Sequence, residues 1–156
     1  MRITLEKRGD RTRMHCVRDD DSTTSADLGP SLPYHDLAHL VVEQHFGMTE
    51  GFFGNVARGR ALEELNDEAV IRSLGPEAWK AEVLARAVCS LVTGACRPDQ
   101  LQALVTTELA GMGIDRREDL SEPVATELQR TLEEHIHTFK TLSDGDSLAL
   151  TFELWT

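Results

Sequence analysis

A chain of 156 residues with 40% hydrophobic and 28% charged side chains can build a core, which excludes the wholly disordered and disulfide-scaffold classes. Its net charge of −11 opposes attraction to phosphate backbones and anionic membranes, so neither nucleic acid nor membrane is an expected partner. No window approaches the ~18 consecutive apolar residues of a membrane span, the start lacks the apolar stretch of a secretory leader, and Cys16, Cys89 and Cys96 show no C-x-x-C spacing, which together predict a cytoplasmic protein with reduced thiols.

In chain order, Ile3 and Leu5 alternate with Arg2, Thr4 and Glu6, and Met14 and Cys16 alternate with Arg13 and His15 across Arg8-Gly9-Asp10-Arg11. That pattern predicts a β-hairpin over 1–18. Six cations stand against Glu6 and Asp10 there, giving +4 in a chain that is otherwise −15, so the hairpin could dock on an acidic protein surface or be balanced by the chain's own acids. Residues 19–32 read as a polar surface loop; its Asp19-Asp20-Asp21-Ser22 run lacks the spacing of an EF-hand. Pro33 and Gly47 bracket a helix of about 33–46. Gly51 to Gly59 reads as a tight connection in which Phe52 and Phe53 plug the core, because its spacing matches neither a Walker A loop nor a dinucleotide fingerprint.

Helices follow at about 60–73, 76–93, 98–110 and 122–142, with Pro76, Pro98 and Pro123 at the starts and Gly94 at one stop. Residues 147–155 alternate Leu148, Leu150, Phe152 and Leu154 with Ala149, Thr151, Glu153 and Trp155, a strand with one buried face. The expected fold is therefore α+β in one domain: a small antiparallel sheet, made of the N-terminal hairpin and the C-terminal strand, packed against about five helices over 33–142.

The chemistry concentrates in Tyr34-His35-Asp36-Leu37-Ala38-His39-Leu40-Val41-Val42-Glu43. At 100° per residue the apolar side chains cover most of the circumference and leave a narrow stripe for the two histidines and two carboxylates. Ionisable groups on so apolar a helix must be paired, coordinated or set at the lip of a cleft. They could hydrogen-bond neighbours, handle protons or bind a divalent transition metal such as zinc.

The segment His35-Asp36-Leu37-Ala38-His39 resembles the H-E-x-x-H motif of zincin metallopeptidases, with aspartate in the glutamate position. The resemblance covers five residues. It implies that His35 and His39 are metal ligands and Asp36 the base. Aspartate is one C–C bond, roughly 1.5 Å, shorter than glutamate, which puts its reach to a metal-held water in question. Glu43, one further turn along, and His135, within the apolar face of the last helix, are the candidates for a third ligand, with Glu43 also a candidate for proton transfer. His15 and His137 read as surface residues, Cys89 as a small hydrophobe within its helix, and Cys96 as the more exposed thiol. Two functions fit: a non-catalytic binding or interaction domain with a protein partner or a second copy of itself, and a metal-dependent hydrolase built on His35, His39 and either Glu43 or His135.

Overall fold

The computed structural model describes residues 1–115 and 117–155. The elements run β1 (Arg2–Arg8), β2 (Arg11–Val17), β3 (Thr23–Asp27), α1 (Tyr34–Phe46), α2 (Phe52–Ala57), a 3-10 turn (Glu64–Asn66), α3 (Glu68–Ser73), α4 (Pro76–Thr93), a second 3-10 turn (Pro98–Gln100), α5 (Leu101–Gly111), α6 (Glu122–Lys140) and β4 (Ser147–Thr151). The fold is α+β. An antiparallel sheet of order β3-β2-β1-β4 covers the helices with one face.

Register explains that face. Leu5 lies opposite both Met14 and Leu148, and Met14 opposite Ala26, so one row of apolar side chains crosses all four strands. Ile3, flanked by Cys16 and Leu150, begins the next row. Ile3, Leu5, Met14 and Cys16 are at most 1% exposed and join the helical residues in a single hydrophobic cluster. The period-2 alternation read from the sequence is therefore the alternation of burial.

Three local expectations are corrected. Part of the polar stretch 19–32 is a strand: β3 pairs along β2 through β-branched Thr23 and Thr24, while Ala26 supplies the inward residue. The acidic run is the turn that delivers it, where the Asp20 carboxylate accepts from Ser22 N–H at 3.0 Å and Ser22 Oγ at 2.6 Å, and Asp21 takes φ 63°. The glycine-bounded connection contains α2, with Phe53 buried and Phe52 only half-buried. The expected helix 60–73 is a 3-10 turn followed by the six-residue α3, which starts where the Asp67 side chain accepts from Ala69 N–H.

The hairpin's cations are largely engaged within the protein. Arg11 grips Asp27 through two hydrogen bonds of 2.8 and 3.0 Å, Arg8 meets Glu6, Arg13 meets Ser25, and Lys7 Nζ reaches the Leu142 carbonyl at 2.9 Å. Arg18, 9% exposed, spends its guanidinium on the Val56 and Arg60 carbonyls and on Ser22 Oγ, tying the end of β2 to the chain beyond α2.

Helix α1 lies between α4 and α6, and its contact with α4 is the most extensive between helices. Ala38 on α1 and Ala81 and Ala85 on α4 are all fully buried, and side chains this small let helix axes come close. That packing sets one polar edge of α1 beside one polar edge of α4. Among the described residues no helix is long and apolar enough to cross a membrane.

Candidate metal centre

Helix α1 places His35 and His39 one turn apart, with their Nε2 atoms 3.2 Å from each other. From α4, Glu82 brings Oε2 to 3.1 Å from each of those nitrogens. Three donor atoms thus converge on one point. Ligands bound tetrahedrally to a single zinc at about 2.0–2.1 Å lie roughly 3.3 Å apart, so the observed spacings fit one ion.

Glu43 holds His39 from behind. Its side chain is 0% exposed, and Oε1 lies 3.0 Å from His39 Nδ1 while also accepting the Phe52 N–H at 2.7 Å; Oε2 accepts the Gly54 N–H at 3.1 Å. When the ring is neutral, a carboxylate in that position favours the proton on Nδ1, which leaves the Nε2 lone pair on the side of His35 and Glu82. The sequence arranges this locally. Gly47, at φ 64°, ends α1 with its N–H on the Glu43 carbonyl, and the chain folds back so that the first turn of α2 meets the Glu43 side chain. A Cβ at Gly51 would lie 2.3 Å from Glu43 Cδ, so only glycine leaves room for the carboxylate.

The electrostatics follow from these contacts. Burial opposes a charge on His39, yet its hydrogen bonds to Glu43 and Glu82 outweigh that cost and hold the ring at about 9. A hydrogen bond with Cys89 and another with Glu82 raise His35 to about 9. Hydrogen bonds from His35 and His39 pull Glu82 well below the usual carboxylate range. Without a metal, protons satisfy the cluster. The same three atoms could hold a metal ion in place of those protons.

The other candidates sit elsewhere. Glu43 is not a third donor beside the Nε2 atoms but the buried carboxylate behind His39. His135, on α6, lines a separate hollow with His45, Leu128 and Trp155, and is not among the converging donors. Asp36 is half-buried, with its carboxyl raised by burial, and also lies outside the donor cluster. His15, His45 and His137 are exposed. Cys96 is buried rather than exposed, and burial pushes its thiol up. Cys89 does more than pack, because its Sγ donates to the Tyr34 carbonyl at the start of α1.

Glu82 is the residue that sequence reasoning missed. It sits 43 positions after His39 on a helix whose pattern reads as ordinary packing, and only the close approach of α1 and α4 brings it to the histidines. The faint signal is a stripe of Trp79, Glu82, Arg86 and Cys89 at helical spacing along α4, polar enough to line a site. Comparison of the chain with known protein families, with curated proteins and with solved structures finds no match.

Proposed function

We propose that the protein binds one divalent transition metal, zinc being the first ion to test, through His35 Nε2, His39 Nε2 and Glu82, and that it is a metal-dependent hydrolase. The observation that carries the reading is the convergence of three donors from two helices, with a fully buried carboxylate 3.0 Å from the other ring nitrogen of the most deeply set histidine. Two histidines and one glutamate are a ligand set of catalytic zinc, which keeps a coordination position open. A metal there supplies Lewis acidity at that position.

The protein residues have separable tasks. His35, His39 and Glu82 bind. Glu43 orients His39, and Arg86, whose Nε is 3.5 Å from Glu82 Oε1, restrains the oxygen of Glu82 that does not face the histidines. Three free cysteines support a cytoplasmic setting. A non-catalytic role through the basic hairpin has less support, because Arg8, Arg11, Arg13 and Arg18 already have partners within the chain.

Elemental analysis of protein purified without an affinity tag tests the proposal. Stoichiometric metal in the wild type, lost in His39→Ala and in Glu82→Gln but retained in His135→Gln, is expected. Protein that stays metal-free after exposure to zinc, manganese, iron and nickel, with the chain folded, would overturn it.

A further inference from the structure

A cavity of about 470 Å³ opens beside the donor cluster, with His39 and Glu82 in its wall. The rest of that wall is almost wholly apolar: Phe52, Leu65, Ile71, Leu74, Trp79 and Met112. Its size is that of a small-molecule pocket, and one polar end against an apolar body is the usual composition of one. These side chains do not simply complete the core. Phe52, Ile71, Leu74 and Trp79 are only half-buried, in contrast to the neighbouring Phe53, and Met112 is 45% exposed.

Charge narrows the occupant further. Arg86 is the cation in the wall, and it is already held between Glu82 and Glu108. An anionic tail would meet those two carboxylates and a chain of net charge −11, whereas a cationic tail would lose its water against leucine and aromatic side chains. We infer that the pocket takes a small molecule with an uncharged alkyl or aryl body, seated between Phe52, Leu74 and Trp79, whose oxygen-bearing head lies against His39 and Glu82. This rests on the metal reading above and adds the substrate class to it: an ester, amide or similar acyl compound with an apolar group next to the scissile bond.

Cobalt(II)-loaded protein provides the test, because its visible spectrum reports both metal binding and ligand entry. The probes are acetohydroxamate, butanohydroxamate and hexanohydroxamate, together with the six-carbon hydroxamate carrying a terminal carboxylate. Affinity should rise by about fourfold for each methylene, the effect of burying one CH₂, and the carboxylate-tailed compound should bind about tenfold or more weaker than hexanohydroxamate. Leu74→Asp and, as a second variant, Trp79→Gln should flatten the chain-length series while leaving the cobalt spectrum intact.

Equal affinities along the series in the wild type, with a normal cobalt spectrum, overturn this inference and leave the metal reading standing. A flat series accompanied by a dimer in light scattering would show the pocket filled by a second copy of the chain, and overturns it equally. Absence of a cobalt spectrum overturns the metal reading, and the substrate class with it.

Discussion

Helix α1 borders two hollows, and a histidine stands in each: His39 from α1 itself and His135 from α6. On the α4 side, His39 is 6% exposed and holds its proton against burial because Glu43 and Glu82 contact both ring nitrogens. On the α6 side, half-buried His135 faces Leu40, Leu128 and Leu150 in a hollow of similar size, about 490 Å³, and burial lowers its pKa with only the charge of Glu134 opposing. The residue type is the same, although His39 is buried and His135 only half-buried. What separates the two is that His39 meets two further donors, His35 and Glu82, at one ring nitrogen and a buried carboxylate at the other, and that carboxylate comes from the same helix, one turn on.

Substitution of Glu43 should have the largest effect. Glu43→Ala removes a buried carboxylate and orphans the Phe52 and Gly54 amides and the His39 ring, so a loss of about 3–5 kcal/mol in chemical denaturation is expected, enough to threaten folding. Glu43→Gln keeps the volume and should cost less stability, yet lower zinc affinity by about 10–100-fold in a competition titration. Gly51→Ala pushes a methyl into Glu43 and should cost about 1–3 kcal/mol, whereas alanine at exposed Gly111, whose Cβ would meet open space, should not destabilise. Equal effects at Gly51 and Gly111 would mean that the Glu43 cradle is not tightly built.

Acidity sharpens the contrast. In metal-free protein, His35 and His39 are raised from 6.5 to about 9, so the stability they contribute is complete below 6.5 and is lost as pH rises through 9. Glu82 is lowered from 4.5, so its contribution is complete above 4.5 and is lost as pH falls toward its lower folded value. The metal-free chain should therefore be most stable between about pH 4.5 and 6.5 and should weaken from 6.5 to 9 in denaturation profiles. Saturating zinc should reverse the alkaline limb, because the metal competes with the protons and stabilises the folded state more as they leave. The smallest effect belongs to the other hollow: His135→Gln should change stability by less than about 1 kcal/mol and leave zinc affinity unchanged.

Much of this was legible in the sequence, and the boundary is physical. Helix α4 falls at 76–93 as expected, because proline at the start and glycine at the stop are local signals. Residues 33–46 were readable as a helix for the same reason, and i, i+4 spacing alone brings His35 beside His39. Strand β3 was not readable, since its five residues bury little beyond Ala26 and owe their form to pairing with β2. Glu82 was not readable either, because a contact spanning 43 positions depends on how close two helices pack. Glu43 was visible as an acid one turn from His39, but its task was not, because that depends on the Gly47 reversal bringing two amides back to it.

Anomalous X-ray diffraction from a crystal soaked in zinc would locate the ion between α1 and α4. One strong peak is expected at about 2.0–2.2 Å from His35 Nε2, His39 Nε2 and a Glu82 oxygen, with Glu43 still on His39 Nδ1. A peak beside His135 and His45 instead, or none between α1 and α4, would contradict the proposed metal site.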